Sequence, residues 1–375
     1  MSIQSEIDRI AGNVRETISA IEQTGVAVPE GANSNDLPEL TAELANGKQN
    51  KLTGAQGQVV GFDSQGNAQA QDPPGGGSGK RVCRFTIGTS TAGWTADDCD
   101  YLCDGTADDV KINAAIQALP STGGEVAILD GTYNITATIA VNKDNVTLSG
   151  NRAATVLKRM WNGSSTGVVT VTANYCTVKN LQIDGNKSSY PSGDGIDLSS
   201  SNNTITGNTC NNNKGVGIYL SGSYSTITSN ACNNNNAGIH LQSSNNTTTG
   251  NTCNNNNKNG IHLQSSNNTI TGNTCNNNNN TGIYLFSGSD NNTITGNTCN
   301  NNNNTGIYLY GSINNTITGN TCIRGNGNSS DYTSSQYTIQ IIMDSQNNLI
   351  VGNNIMGKNY VDNGTNNTFA NNKYN

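Results

Sequence analysis

The sequence predicts an all-β solenoid, a right-handed parallel β-helix with three short strands in each coil of about 22 residues. A Gly-Ile-x-Leu segment followed by Thr-Ile-Thr-Gly-Asn-Thr-Cys recurs, with small variations, six times between Gly195 and Cys322. A fixed period of this length is typical of stacked coils. Only 5% of the 375 residues are aromatic and 12% are charged, too few for a compact globular core but enough for coils that share one continuous core. Parallel crossovers of this kind favour a right-handed turn.

A short α-helical attachment region, residues 1–47, is predicted to precede the solenoid. Within residues 1–24, aliphatic residues recur three or four positions apart, which places them on one helix face: Ile3, Ile7, Ile10, Val14, Ile18 and Ile21. A second short helix is predicted over 36–46. Because one such helix is marginal alone, we expect its apolar face to pack on another copy of the chain or on a partner. Residues 48–80 are predicted to form a small hairpin around 58–62 and a Pro/Gly linker.

Residues 81–160 are predicted to open the β-helix with a capping helix over 110–119. Thr106 at the N-cap and Asp109 three residues later form a capping arrangement, and Pro120 ends the helix. The nearby acidic residues favour helix capping over a calcium site, because no EF-hand-like ligand series is present. Short strands with alternating apolar residues follow, and residues 161–375 form the repeat β-helix.

Alternation within one coil assigns each side chain to the inside or the outside. Ile205 points inward between Thr204 and Thr206, Gly207 begins a corner that needs positive φ, and Cys210 points inward again. One cysteine per coil then forms a buried column of reduced thiols, with Ile183 and Ile355 in the flanking slots: Cys210, Cys232, Cys253, Cys275, Cys299 and Cys322. We favour this over metal binding, since no second ligand accompanies each rung. The corner asparagines are expected to form ladders between coils.

Two outer columns beside the Gly-Ile-x-Leu strand concentrate rings and amides. The first column reads Asp197, Tyr219, His240, His262, Tyr284 and Tyr308, and the second reads Ser199, Ser221, Gln242, Gln264, Phe286 and Tyr310. Flat amphipathic rings and amides in a row suit sugars, which present an apolar face and hydroxyl edges. The alternative is that these residues simply fill exposed strand positions. Copies 238–259 and 260–281 differ at only three of 22 positions, so a recent repeat expansion would also produce such columns.

The opening segment carries a family resemblance. Residues 103–110, Asn113-Ala-Ala-Ile116, Gly123-Gly124 and Gly131-Thr-Tyr133 together resemble the opening module of the pectate-lyase-like superfamily, and the repeats at 195–322 are similar to its β-helix repeats. The superfamily's fold is a right-handed parallel β-helix with an N-terminal capping helix. Segments 2–10, 31–37 and 51–62 resemble the amino ends of bacteriophage tail-fibre and baseplate-attached proteins.

These resemblances imply a bacteriophage or prophage tail-fibre or tailspike-like receptor-binding protein that recognises a host surface polysaccharide. Residues 1–47 would attach it to a baseplate or tail protein, and a homotrimer is expected. The predicted contact residues form a set that we call the strip: Tyr219, His240, Gln242, His262, Gln264, Tyr284, Phe286, Tyr308 and Tyr310.

Three alternatives remain open. A polysaccharide depolymerase, a glycoside hydrolase or a lyase, would use Asp184, Asp194 and Asp197, which loosely resemble acidic positions of the superfamily's hydrolases. The fuller hydrolase motifs are missing, and aspartate at a Gly-flanked corner is commonly a turn residue. The paired Thr-x-Thr columns resemble the ice-contact face of β-solenoid antifreeze proteins, although threonine is a routine strand residue. The third alternative is that the rod serves only as a passive spacer.

Charge and hydropathy exclude other classes. The net charge of −7 argues against a nucleic-acid partner, and no run of about 18 apolar residues predicts membrane insertion. The first ten residues lack a signal-peptide pattern. We therefore expect the protein to be located in the virion and to be assembled into it in the bacterial cytoplasm. No cofactor and no metal site is predicted.

Overall fold

The computed structural model describes residues 3–22, 28, 30, 32, 59–62, 68–71, 83–163, 166–324, 336–357 and 360–374. The chain divides into two compact units, Met1–Arg81 and Val82–Asn375, and each is described by itself. The helix predicted over 36–46 and the linker predicted before residue 80 lie outside the described residues.

The first unit contains the predicted N-terminal helix and the predicted hairpin. Helix α1 spans Ile3–Glu22, and on its apolar face Ile7 and Ile10 remain about half exposed. Strands β1 (Val59–Phe62) and β2 (Ala68–Gln71) pair antiparallel.

The second unit opens with a capping helix and short parallel strands. Its first elements are β3 (Arg84–Thr89), β4 (Tyr101–Cys103), α2 (Asp108–Ala118), β5 (Gly124–Ile128), β6 (Gly131–Ile135), β7 (Ile139–Val141) and β8 (Val146–Arg159). Ile112, Ala115 and Ile116 of α2 are fully buried and cover the end of the solenoid core.

The predicted side-chain cap of α2 was wrong. The residue before the helix is Ala107, which makes no side-chain cap. Asp108 instead accepts the Gly105 N–H at 2.9 Å and the Asn134 N–H at 2.7 Å. Both Asp108 and Asp109 are buried, because their carboxylates satisfy backbone donors of neighbouring segments rather than the end of their own helix.

Two long parallel sheets form the rod. The first contains fifteen strands and the second contains ten. The remaining strands are β9 (Gly167–Val171), β10 (Thr177–Asp184), β11 (Asp194–Leu198), β12 (Thr204–Thr206), β13 (Thr209–Asn211), β14 (Val216–Leu220), β15 (Thr226–Thr228), β16 (Ala237–Leu241), β17 (Thr247–Thr249), β18 (Ile261–Leu263), β19 (Thr269–Thr271), β20 (Thr281–Leu285), β21 (Thr293–Thr295), β22 (Thr305–Tyr310), β23 (Thr316–Thr318), β24 (Thr321–Ile323), β25 (Tyr337–Ile342), β26 (Leu349–Val351), β27 (Asn354–Met356), β28 (Val361–Asp362) and β29 (Thr368–Ala370). The third side of the regular coils is shorter than predicted, since it pairs through single bridges such as Thr252 with Thr274.

The cysteine column is buried as predicted. Every cysteine from Cys210 to Cys322 in this column is a free thiol with at most 1% of its surface exposed, and Ile183 and Ile355 pair with the first and last of them. The repeat glycine faces this column: a Cβ on Gly238 would lie 2.7 Å from Cys253 Cβ and 2.5 Å from the Gly260 carbonyl oxygen. Each coil therefore needs glycine at this position.

Asparagine ladders bind the coils together at the corners. Asn230 Nδ2 donates to Asn251 Oδ1 at 3.0 Å, and Asn251 Nδ2 donates to Asn273 Oδ1 at 3.0 Å. Each amide oxygen also accepts a backbone N–H of the preceding coil, as Asn251 Oδ1 does from Asn230 at 2.9 Å. These side chains are almost fully buried, so the ladders supply hydrogen bonds that corner backbone would otherwise lack.

One buried hydroxyl interrupts the aliphatic core. Thr248 is fully buried between Ile227 and Ile270 of the adjacent rungs, and its Oγ1 makes no hydrogen bond. We expect Thr248→Val to raise the free energy of unfolding by about 1 kcal/mol, because it removes an unpaired polar group without changing side-chain shape. Guanidinium unfolding measures this. Thr249→Val, on the outer face of the same strand, is the control and should change stability by less than about 0.5 kcal/mol; destabilisation by Thr248→Val would contradict the assignment.

Candidate functional site

The first strip column is in register across adjacent rungs of the ten-stranded sheet. Tyr219 pairs with His240, His240 with His262, His262 with Tyr284, and Tyr284 with Tyr308. Their rings lie outside the core because the flanking Ile and Leu residues on each strand are fully buried.

The rings stack along the rod. The His240 and His262 ring centroids lie 4.4 Å apart, those of His262 and Tyr284 5.1 Å apart, and those of Tyr284 and Tyr308 4.9 Å apart, with interplanar angles of 12°, 6° and 11°. In the second column, Phe286 and Tyr310 stack at 5.6 Å. A parallel strand spacing of about 4.8 Å thus sets the ring separation.

Hydrogen bonds tie the polar end of the strip together. The Tyr219 hydroxyl donates to Gln242 Oε1, and Gln242 Nε2 donates to Gln264 Oε1 at 3.1 Å. The same Gln264 oxygen lies 2.8 Å from His240 Nε2, which therefore carries the proton. The structure brings all nine strip residues onto one face.

Two of the three predicted acidic residues lie at one end of the strip. Asp197 pairs with Tyr219 and so continues the first column. Asp194 begins the same strand, and its Oδ1 accepts the Val216 N–H at 2.6 Å. Asp184 ends β10 in the other sheet, where its Oδ1 accepts the Asn186 N–H at 3.0 Å, as a turn residue does. The structure does not group it with the other two.

A buried arginine lies beside this acidic end. Arg159 Nη2 donates to the Thr166 and Asp194 carbonyl oxygens at 2.7 and 2.8 Å, and its guanidinium lies 3.9 Å from the Trp161 ring centre. Burial lowers the pKa of Arg159 to about 10, and the Asp194 carboxylate opposes this shift.

Burial sets the protonation states of the site. It raises the pKa of Asp197 to about 6, with a further contribution from the Asp194 charge. It lowers the pKa of His262 to about 4, helped by the charges of His240 and Lys258, and it also lowers the pKa of His240. At neutral pH the rings of the strip are therefore uncharged, whereas Asp197 at the end of the strip is mostly ionised.

A cleft of about 480 Å³ runs beside the strip. Residues of successive rungs line it, among them Val216, Ala237, Lys258, Asn259, His262 and Tyr284. Two buried polar atoms at the cleft, Asn259 Oδ1 and His262 Nε2, make no hydrogen bond with the chain. Sequence reasoning missed Lys258 and Asn259, yet a signal existed, because they are two of the three differences between copies 238–259 and 260–281.

The described residues contain neither a metal-ligand cluster nor a membrane-spanning helix. In the part of the chain that the structure describes, no three His, Cys, Asp or Glu side chains group as a metal site would require. Within those same ranges, no helix combines the length and apolarity needed to cross a bilayer.

Two family models match parts of the chain. One is described as a right handed beta helix region and matches residues 222–374; the other is described as a periplasmic copper-binding protein, NosD, and matches residues 105–270. No curated protein matches the chain.

Solved structures show the same fold at low sequence identity. ORF18 of Geobacillus virus E2 is 17% identical with a TM-score of 0.60, covering 85% of this chain and 67% of that chain. The Dettilon tailspike protein is 19% identical with a TM-score of 0.59, covering 69% of this chain and 53% of its own. An endo-xylogalacturonan hydrolase from Aspergillus tubingensis is 16% identical with a TM-score of 0.57, covering 78% and 92%.

The chain spans only about half the length of the Dettilon tailspike that it matches. The parallel coils, the matched β-helix region and these neighbours together identify the chain as a right-handed parallel β-helix protein whose structural relatives include phage tailspikes.

Proposed function

We propose that this chain is a phage or prophage tail-fibre or tailspike-like protein that binds a host cell-surface glycan through the strip. The observation that carries the proposal is the continuous stack of four neutral rings from His240 to Tyr308, flanked by a hydrogen-bonded glutamine pair. The stacked rings cover one another's faces and turn their edges and hydroxyl groups outward, where they can contact sugar C–H groups and hydroxyls, and the amides exchange hydrogen bonds with the same hydroxyls. The rungs repeat along one direction, which suits a polymer better than a single small molecule.

Attachment and assembly form the second part of the proposal. Ile7 and Ile10 on the apolar face of α1 are about half exposed. We propose that this face packs against the same face of two other copies in a homotrimer, and that residues 1–47 also contact a baseplate or tail protein. Isoleucine at both core positions of a coiled coil favours three or more strands. Virion location belongs to the same proposal and competes with the periplasmic description of the NosD family.

A depolymerase is the second candidate, and the raised pKa of Asp197 favours it. A carboxyl group with a pKa of about 6 is suited to general acid catalysis near neutral pH. Asp194 on the same strand and the nearby Arg159 guanidinium add a second carboxylate and a cation.

Removing two rings tests glycan binding. We expect the double variant Tyr284→Ala/Tyr308→Ala to bind host surface polysaccharide at least about tenfold more weakly, because two ring edges and two phenol hydroxyls are lost from the contact surface. Binding can be measured by biolayer interferometry and by adsorption to host cells. Tyr224→Ala is the matched control, since Tyr224 is 65% exposed on a turn outside the strip. Unchanged adsorption by the double variant would instead make the rod a passive spacer.

A reducing-end assay tests the depolymerase. If Asp197 is the general acid, host polysaccharide should release new reducing ends near pH 5, and the rate should fall as pH rises through about 6 and Asp197 loses its proton. Asp197→Asn should abolish release, whereas Asp184→Asn, a change in the separate turn, should retain it. No release from a polysaccharide that the protein binds would leave binding as the function.

Acidification tests the neutral state of the strip. The pKa of His262 is about 4 in the folded chain and about 6.5 when unfolded, so the unfolded chain takes up this proton first and stability falls as pH drops from 6.5 towards 4. When the pH is lowered from 7 to 4.5, the free energy of unfolding should fall in both proteins, and the fall should be about 1 to 2 kcal/mol smaller in His262→Gln than in the wild type. Chemical unfolding at both pH values measures this, and an identical loss in the two proteins would refute a buried, neutral His262.

A further inference from the structure

Trp161 lies at the acidic end of the site. It is the second residue after Arg159, and its ring centre lies 3.9 Å from the Arg159 guanidinium. Arg159 Nη2 donates to the Asp194 carbonyl oxygen at 2.8 Å. Gly167, with which β9 begins, lies against Asp197, because a Cβ on this glycine would lie 3.0 Å from Asp197 Cβ. The indole is therefore a neighbour of β11, which carries both carboxylates, although it belongs to an earlier coil.

One face of the indole is covered, and the other is turned to solvent. Arg159 is fully buried, so the ring face that packs on its guanidinium is closed. Trp161 as a whole is half-buried, so its accessible surface belongs to the opposite face and to the ring edge. Gly163 permits this position, because a Cβ there would lie 2.7 Å from Trp161 Nε1. Within the described residues the indole N–H makes no hydrogen bond, and it is accessible to solvent.

The other tryptophan of the chain shows a structural indole in the same fold. Trp94 Nε1 donates to the Asp130 carbonyl oxygen at 2.7 Å, so its N–H is satisfied by the opening module, as is usual for a tryptophan that serves packing. Covering Arg159 requires only an apolar ring, which phenylalanine would also supply. The N–H of Trp161 is therefore an unused donor beside the proposed glycan site.

We propose that Trp161 binds an uncharged pyranose residue at the acidic end of the glycan. The proposal rests on the function proposed above and names the charge class of the sugar at this end. The outer face of the indole packs on C–H groups of the pyranose ring, and the indole N–H donates to one of its hydroxyl groups. The aromatic surface of the site then begins at Trp161, before Asp197, and continues along the strip.

The charges at this end favour an uncharged sugar over a uronate. The carboxylates of Asp194 and Asp197 repel a carboxylate on the ligand, whereas sugar hydroxyls can donate hydrogen bonds to the Asp197 carboxylate. Arg159 does not offset this repulsion by pairing with a ligand, because its Nη2 donates to backbone carbonyl oxygens and its Nε and Nη1 are shielded from solvent. The buried guanidinium supports the ring from below and leaves recognition to the indole.

Tryptophan fluorescence tests the contact directly, because the chain contains only two tryptophans. In Trp94→Phe, Trp161 is the sole indole emitter, and oligosaccharides released from host surface polysaccharide by partial hydrolysis should change its emission. The titration should give the same Kd as isothermal titration calorimetry. In Trp161→Phe, where Trp94 alone emits, the same titration should leave the emission unchanged.

The two variants also form a matched pair for affinity. Phenylalanine at 161 still covers Arg159 but offers a smaller face and no N–H, so we expect Trp161→Phe to bind the oligosaccharides about five- to tenfold more weakly by calorimetry. Trp94→Phe should bind as the wild type does, because Trp94 lies in the opening module and contacts Asp130 instead of the site. Wild-type affinity in Trp161→Phe would overturn the role of Trp161.

Anion exchange tests the charge class of the sugar. It separates the released oligosaccharides into neutral and acidic fractions, and the neutral fraction should produce the change in Trp161 emission. An equal or larger change with the acidic fraction would overturn the assignment of an uncharged sugar. Calorimetric binding without any change in Trp161 emission would overturn the contact and leave strip binding intact. Absence of calorimetric binding by the wild type would overturn the proposed function itself.

Discussion

The buried asparagine ladders are the constraint on which the rest of the rod depends. At each corner one residue adopts positive φ, as Gly207 and Asn212 do, and the next residue is a buried asparagine whose amide serves the backbone of its neighbours. This arrangement works only if every coil turns at the same place. The ladders therefore keep the coils in register, and register turns a sequence repeat into straight columns of side chains.

The strip follows from that register. Because Tyr219, His240, His262 and Tyr284 occupy one repeat position, their rings must lie one strand spacing apart. That spacing suits ring stacking, and stacking in turn buries the imidazoles enough to keep them neutral. The strip is therefore a flat, uncharged and partly apolar surface. The protein as a whole carries a net charge of −7, which repels negatively charged polymers, and the uncharged strip adds nothing to that repulsion.

The alternation of inward and outward residues within each strand predicts much of the coil. It does not predict contacts between segments that are distant in the sequence. The inward Cys210, the outward Tyr219 and the corner at Gly207 follow from period-two reasoning, and the structure confirms each. The predicted Thr106 cap was wrong because the polar contact at this helix end is made by the Asp108 carboxylate, which accepts the Asn134 N–H of a neighbouring segment. Asp184 was grouped with Asp194 by closeness in sequence, yet a change of sheet separates them. The cleft at Asn259 is visible in sequence only as a difference between near-identical copies.

The two proposed activities belong to different ends of the site. The ring stack and the cleft belong to regular coils, where neighbouring rungs are nearly alike and no carboxylate joins the rings. Asp194 and Asp197 lie on β11, the first Gly-Ile-x-Leu strand of the repeat, and Arg159 ends β8, a strand of 14 residues that precedes the repeat. General acid catalysis needs a proton donor beside the scissile bond, so the proposed depolymerase would act at that end, where Asp197 lies. A glycan lying along the strip would therefore reach Asp197 with one end, and the regular coils would determine how tightly and in which register it is held.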